Sequence, residues 1–318
     1  MTAGSPQVAV VIPTTTGRET RLAFALEALA GQTLDRGRFE VLVVRAFDRT
    51  RGSLIEVPSR LSVRLLDSPV AGPAVQRNLG WRATDAALIA FTDDDCRPAP
   101  EWLDRLLEAA DRSAMLQGRT EPDPDERPLL WGLARSWEIT GANGWYATCN
   151  MAYPRVLLER LGGFDERFPA AWGEDTDLGL RATELGAELR YVDGALVWHA
   201  VVPRPLPVAL KDTRRRGSTA AVVARHPVHR GELYGRLFAH ERHAKLLLAA
   251  LTLLLAWRRP ALAAPAMLPY LNATYGRGRI TPRGLARLAT HLPSRVAVDI
   301  VETVVTVHAA IRHRVFLI

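Results

Sequence analysis

Over the first two hundred positions, short apolar runs alternate with longer stretches in which apolar residues recur at helical spacing. Residues 8–12 read as a short buried strand, stopped by Pro13 and the polar run Thr14, Thr15 and Thr16. Leu22, Ala25, Leu26 and Leu29 follow at the helical period, and Gly31 can end that helix. "RFEVLVVRAF" predicts a second strand and "SVRLLDS" a weaker third. "GPAVQRNLGWRAT" reads as a helix from about Pro73. "AALIAF" is a buried strand bounded by charge, and "PEWLDRLLEAA" is a helix with Pro100 near its first turn. Alternation of this kind predicts an α/β protein with a mostly parallel central sheet flanked by helices. In such sheets ligands bind beyond the carboxyl ends of the strands.

The middle, 115–202, has an α+β texture. "EDTDLGLRATELG" is a helix with an acidic first turn, which suits the helix dipole. "AELRYVDGALVWHA" reads as a strand pair turning at Asp193-Gly194. From about Pro203 the character changes. "DTRRRGSTAAVVARHP" is basic and reads as a mobile segment. Three apolar pieces follow, at 246–257, 261–271 and 296–310, the last interrupted by Asp299 and Glu302. A spanning helix needs roughly twenty apolar residues. The expectation is therefore a helical C-terminal appendage over 203–318, touching a membrane surface through 244–318. The alternative is that these helices cover the main domain or a second subunit, as in a homo-oligomer.

Composition changes this picture little. The chain has 318 residues, 48% of them hydrophobic, enough for a sizeable core. The net charge is +7, and only Lys211 and Lys245 among the basic residues are lysine. Codon bias explains that; so would a phosphate-rich partner. No nucleic-acid-binding module is legible, so no nucleic-acid partner is expected. Cys96 and Cys149 make no disulfide framework and suit a reducing compartment. The first residues lack a secretory pattern. These features predict a cytoplasmic protein, or one peripheral on the inner face of the cytoplasmic membrane.

The candidate chemistry begins at "AFTDDDCRP", where Asp93, Asp94 and Asp95 end an apolar run. Crowded carboxylates repel unless a cation sits among them. On an extended segment Asp93 and Asp95 would face one way and Asp94 the other. Mg²⁺ and Mn²⁺ favour such hard oxygen ligands, often shared with phosphates; a solvated acidic loop is the plainer alternative. A second acidic group, Glu174, Asp175 and Asp177, opens a helix behind Trp172 and Gly173. It reads as a helix start, or as a base held beside an acceptor hydroxyl. His199 ends an apolar strand, as a satisfied core histidine or as a third metal ligand.

In this order and spacing, "VAVVIPTTTGRETRLAFALEALAGQ", "EVLVV", "RNLGWRATDAALIAFTDDDCRPAPEWL", "NMAYPRVLLERLGGFDERF" and "WGEDTDLGLRATELGAELRYVDGALVWH" resemble the family 2 glycosyltransferases of the GT-A (nucleotide-diphospho-sugar transferase) fold. The resemblance runs from about Val8 to His199. It implies a catalytic domain over 1–202, with a nucleotide-sugar half (1–112) and an acceptor half (113–202). It implies an inverting transfer of one sugar from a nucleoside-diphosphate sugar to a hydroxyl acceptor; the basic, apolar C-terminal third suggests that the acceptor is a glycan or lipid-linked glycan, as in cell-envelope or other glycan assembly. Pro13, Thr14 and Thr15 match the loop that lines the nucleotide pocket, and Arg77 and Asn78 the segment over the nucleotide sugar. Asp93 and Asp95 match the D-x-D that holds Mg²⁺ or Mn²⁺ against the diphosphate, with Asp94 between them. Asp175 matches the catalytic base, Glu174 its neighbour, and His199 a histidine able to join the metal shell. Where the family often carries paired aspartates after its second strand, this chain has Arg45 and Ala46, and only Asp48 follows to read the nucleoside. No Q-x-x-R-W motif follows His199, which argues against a processive synthase. A haloacid-dehalogenase-type phosphatase would want Thr where Arg97 stands. A non-catalytic nucleotide-sugar-binding or partner-binding protein on the same fold is the remaining alternative.

Overall fold

The computed structural model describes residues 6–46, 55–168, 171–255, 258, 263–275 and 282–318, with the backbone alone for 263–264 and 282–289. The chain divides into two compact units: Met1–Leu130 with Arg135–Val202, and Trp131–Ala134 with Pro203–Ile318.

The first unit is built on an eight-stranded sheet. Its strands are β1 (Val8–Thr15), β2 (Phe39–Ala46), β3 (Val63–Ser68), β4 (Leu88–Thr92), β5 (Cys96–Pro98), β6 (Ala114–Pro122), β7 (Asn150–Pro154) and β8 (Glu188–His199). Their spatial order is β3-β2-β1-β4-β7-β6-β8-β5. The first four run parallel, joined by α1 (Glu19–Ala30) and α2 (Pro73–Arg82). β7 is antiparallel to β4 and to β6, and β5 is antiparallel to β8. The parallel half is the part foreseen from alternation, and the antiparallel strands make the whole sheet mixed.

Covered on both faces, β1 and β4 carry continuous apolar runs. β3 is an edge strand with exposed Arg64, Leu65 and Asp67, and its pattern is weaker for that reason. On one face Val8, Val10 and Ile12 pack with Leu22, Leu26 and Leu29 of α1 and with Trp102, Leu103 and Leu106 of α3 (Trp102–Ala109). On the other face α2 lies so close that a Cβ on Gly80 would stand 2.4 Å from Val11 Cγ1.

Asp193-Gly194 does not turn a hairpin. β8 is one strand, paired in parallel with β6 along both of its halves. The register moves from Gly118↔Val192 to Thr120↔Val197, so the extra residues of β8, the Asp-Gly pair among them, bulge out of the ladder. Two helices complete this unit, α4 (Arg155–Leu161) and α5 (Glu174–Glu184). α5 approaches Tyr146 so closely that a Cβ on Gly179 would meet the ring at 2.1 Å.

The second unit is helical: α6 (Leu206–Asp212), α7 (Ser218–Arg225), α8 (Glu241–Leu255), α9 (Ala263–Tyr275) and α10 (Pro282–His313). The basic stretch expected to be mobile is instead ordered. Thr213–Gly217 forms a 3-10 turn that continues into α7, and Gly217 lies against Ala309 of α10. Its positive charge is partly consumed inside the unit, where Arg216 faces Glu302 at 3.4 Å.

Asp299 and Glu302, which interrupt the third apolar piece, are the buried centre of this unit. Arg242 donates to both at 2.8 Å, Arg295 reaches Asp299 at 2.5 Å, Tyr270 Oη donates to Asp299 at 2.8 Å, and His243 Nε2 lies 3.1 Å from Glu302. Burial alone would raise both carboxyls, but His243 and the arginines hold them well below the usual range. The stability they contribute is present above the unfolded carboxyl pKa of about 4 and fades as pH falls through the lower folded values. Asp299→Asn leaves buried guanidinium groups without their counter-charge. It should cost about 3–5 kcal/mol in denaturant unfolding at pH 7 and less as the pH is lowered below about 4.

Candidate active site

β1 and β4 are parallel neighbours, so their carboxyl ends open side by side. Thr14, the penultimate residue of β1, donates through Oγ1 to Asp94 Oδ2 at 2.7 Å. Gln76 of α2 donates to the carbonyls of Thr14 and Val44, both at 2.7 Å, and ties the ends of β1 and β2 together. Pro13 is half-buried inside β1, and Thr15 ends it exposed.

The three aspartates do not lie on an extended segment. Cys96 N donates to Asp93 O at 3.1 Å and closes a tight turn over them. The turn sends Asp93 one way and sends Asp94 and Asp95 together the other way. Arg18 meets that second pair, bonding Asp94 through Nε at 2.9 Å and Asp95 through Nη2 at 2.7 Å. The alternation expected of a strand is replaced because β4 ends at Thr92.

β8 runs antiparallel to β5 and places His199 opposite Cys96, beside Asp95. His199 Nε2 lies 3.7 Å from Asp95 Oδ1, and both side chains are buried. Nδ1 lies 2.9 Å from the Ala200 carbonyl. A carbonyl only accepts, so Nδ1 donates to it, and Nε2 is left facing the Asp95 carboxylate oxygen. An imidazole nitrogen and a carboxylate oxygen converging in this way are the atoms that could share a cation. Cys96 Sγ lies in the same group, within 4.8 Å. Burial pushes its thiol pKa well up, so it stays protonated and is a poor ligand for a hard ion. Burial would raise Asp95, but His199, Arg18 and Arg135 together lower it. Asp94 is raised, burial outweighing Arg18.

Arg77 connects the two acidic groups. Its guanidinium donates to Asp93 at 2.9 Å and to Glu174 at 2.9 Å, with 4% of its side chain exposed. Glu174 is buried and also accepts from Trp172 N at 2.7 Å. Asn78, next to Arg77, is buried and bonds away from this centre. It donates to Phe164 O and Glu166, and accepts from Phe164 N and Trp81 Nε1. Its place in the structure is as a brace for the loop after α4.

Asp175 begins α5 beside Glu174 and opens onto a cleft. Arg77, Asp93 and Arg135 line the same cleft, as do three indoles, Trp137, Trp145 and Trp172. Trp137 and Trp172 stack with ring centres 5.8 Å apart, and Trp145 stands 6.5 Å from Trp172. Trp172 has φ 148°, a strained value for a residue with a Cβ, and Gly173 follows at φ 98°. Burial first, then the charge of Glu174, raise the Asp175 pKa to about 7. A carboxyl that gains and loses its proton near neutrality, inside a cleft, can act as a general base.

The structure thus brings Thr14, Arg77, Asp93, Asp94, Asp95, Glu174, Asp175 and His199 to one end of the sheet. Asp48 lies outside the described residues. Arg45, at the end of β2, pairs with Asp67 of β3 at 2.8 Å. Trp137, Trp145 and Arg135 escaped the sequence reading, because they come from irregular chain between β6 and β7 with no legible period. The abundance of tryptophan between 131 and 145 was the available signal.

The glycosyl transferase family 2 profile matches residues 9–163. The chain is 31% identical over 231 residues to the glycosyltransferase AglE of Haloferax volcanii, covering 68% of this chain and 74% of that one. It is 29% identical over 216 residues to the validoxylamine A glucosyltransferase of Streptomyces hygroscopicus subsp. limoneus, covering 55% of this chain and 48% of that one. Among solved structures it resembles the mannosyltransferase PcManGT of Pyrobaculum calidifontis, in complex with GDP-Man and Mn²⁺. The TM-score is 0.56 at 20% identity, over 95% of this chain and 87% of that one, a likeness of fold.

Proposed function

The chain belongs to glycosyl transferase family 2, with the GT-A fold, and from that premise we propose that it moves one sugar at a time from a nucleoside-diphosphate sugar to an acceptor hydroxyl, with inversion at the anomeric carbon. The observation that carries the reading is the link Asp93–Arg77–Glu174, which holds the turn of aspartates and the Asp175 carboxyl around one cleft. Asp175 takes the acceptor proton as the acceptor oxygen bonds to the anomeric carbon. The bond from that carbon to the diphosphate breaks, and its electron pair leaves with the diphosphate. One in-line displacement inverts the centre. Glu174 and Arg77 orient and tune Asp175. Pro13, Thr14, Thr15 and Asp94 line the nucleotide side, with Asp48 as the nucleoside-reading acid and Arg135 as a cation for the phosphates. Asn78 acts from behind, by bracing the loop after α4.

Asp95 and His199 would hold a divalent cation, Mg²⁺ or Mn²⁺, with Asp93 on the cleft side; the oxygen of Asp95 that faces His199 differs from the one that takes Arg18. Such an ion supplies positive charge to the departing diphosphate. The indoles offer flat apolar faces beside the base, which suits an acceptor with a sugar ring. A glycan or lipid-linked glycan acceptor in cell-envelope assembly fits that wall.

Arg18 favours a second reading, a non-catalytic nucleotide-sugar-binding protein, because it already neutralises Asp94 and Asp95. Calorimetry with UDP, GDP, dTDP, ADP and CDP, with and without Mn²⁺, on wild type and Asp95→Ala decides between the two, together with slow donor hydrolysis. We expect one nucleotide to bind at least tenfold tighter with Mn²⁺, an effect lost in Asp95→Ala, and its sugar conjugate to be hydrolysed. Binding without hydrolysis under any metal supports the non-catalytic reading.

A further inference from the structure

Charge is divided unevenly along this chain. Residues 203–318 hold 19 arginines and lysines against five acidic residues, while 1–202 hold 22 against 29. Two of those five acids, Asp299 and Glu302, are buried among Arg242, Arg295 and Arg216. Outside that cluster, the residues of the helical unit with described side chains hold 11 arginines and lysines against three acids, Asp212, Glu232 and Glu241.

α8 adds an apolar surface to it. Its first turns are polar, and Arg242 and His243 are tied into the buried ion cluster. Beyond Lys245 the helix reads "LLLAALTLLL". None of its seven leucines is buried; only His243 and Ala249 are. Leu247, Leu248, Leu251, Leu254 and Leu255 are 39%, 56%, 48%, 69% and 86% exposed. Positions 247, 251, 254 and 255 recur at the helical period, with 248 alongside, and make one continuous leucine face. Leu268 of α9, which packs beside α8, is 61% exposed.

We propose that this face docks on an anionic lipid bilayer, α8 lying in the headgroup boundary with its leucines toward the acyl chains. Fifteen residues span about 22 Å, short of the roughly 30 Å hydrocarbon core, so α8 rests on the bilayer and does not cross it. No helix among the described residues is long and apolar enough to cross. A basic unit is drawn to acidic headgroups, and the leucines anchor it there. Two copies of so basic a unit repel, which disfavours self-association through the face. Among the described residues this leucine face carries no aromatic or hydrogen-bonding group, which suits fluid hydrocarbon better than a shaped protein pocket. The proposal does not rest on the sugar-transfer reading, because α8 contributes no residue to that chemistry.

The test uses the full chain and sedimentation with vesicles of phosphatidylcholine alone or mixed with phosphatidylglycerol. Binding to the mixed vesicles is expected at about 0.1 M salt, weakened roughly tenfold at about 0.5 M, with far less on neutral vesicles. The triple variant Leu251→Gln, Leu254→Gln, Leu255→Gln should lose at least tenfold in partitioning, with an unchanged circular dichroism spectrum and unchanged donor hydrolysis. Absence of binding to the anionic vesicles overturns the proposal, as does binding that the triple variant retains. A dimer in light scattering that the variant dissolves, with no vesicle binding, assigns the face to a second copy and also overturns it. Donor hydrolysis, read in the same samples, reports on the transfer reading separately.

Discussion

Asp175→Asn should lower turnover by roughly 10²–10⁴-fold, the span that a positioned general base contributes, while nucleotide affinity and unfolding midpoint stay near wild type. The amide keeps the shape of the carboxyl and the hydrogen bond that Oδ1 accepts from Thr176 N at 2.8 Å, so the start of α5 is preserved. What is lost is the site that takes the proton. The pH profile gives an independent reading. The base works only when ionised, so the rate should rise with pH, reach half its plateau near 7, where burial and Glu174 place the Asp175 carboxyl, and flatten above. A plateau reached by pH 5 would mean that Asp175 is not the group whose ionisation limits transfer. Asp175→Asn activity within tenfold of wild type would remove it from the chemistry.

Arg77→Met should be the most disruptive single change in the first unit. It leaves Glu174 buried, and Asp93 part-buried, without the guanidinium that joins them. Removing one partner of a buried ion pair costs about 3–5 kcal/mol, because the remaining charge keeps its desolvation penalty. Arg77→Lys should recover little, since one ammonium cannot span two carboxylates as the planar fork does. Function should suffer beyond stability. Arg77 lowers the Asp175 pKa against burial, so its loss should move the acidic limb of the rate profile above 7. Chemical denaturation measures the first effect and pH–rate profiles on folded variant the second. A variant with wild-type midpoint and an unmoved limb would show the Arg77 bridge to be incidental.

Much of the fold was legible because periodicity reports burial directly. β1, β2 and β4 are covered on both faces, so their apolar runs stand out, and the Leu22, Leu26 and Leu29 repeat marked α1. Pro73 at the start of α2 is local backbone chemistry legible in the chain. The same local logic misled at Asp193-Gly194. A turn dipeptide specifies what the backbone tolerates, and the pairing of β8 with β6 decided that it would bulge.

The sequence by itself determined which side chains were available for chemistry: the acids at 93–95 and 174–175, the histidine at the end of an apolar strand, and the leucine runs of the C-terminal third. Only tertiary structure decided their partners. Arg77 lies 97 residues from Glu174, Arg18 lies 76 from Asp94, and Trp137 stacks on Trp172 across an irregular segment. Such pairings leave no period along the chain. They follow from strand order, which sets β5 against β8 and so His199 beside Asp95, and from the tight turn that parts Asp93 from its two neighbours. A pKa near neutrality at Asp175 is likewise a property of desolvation and neighbouring charge, quantities that exist only once the chain has folded.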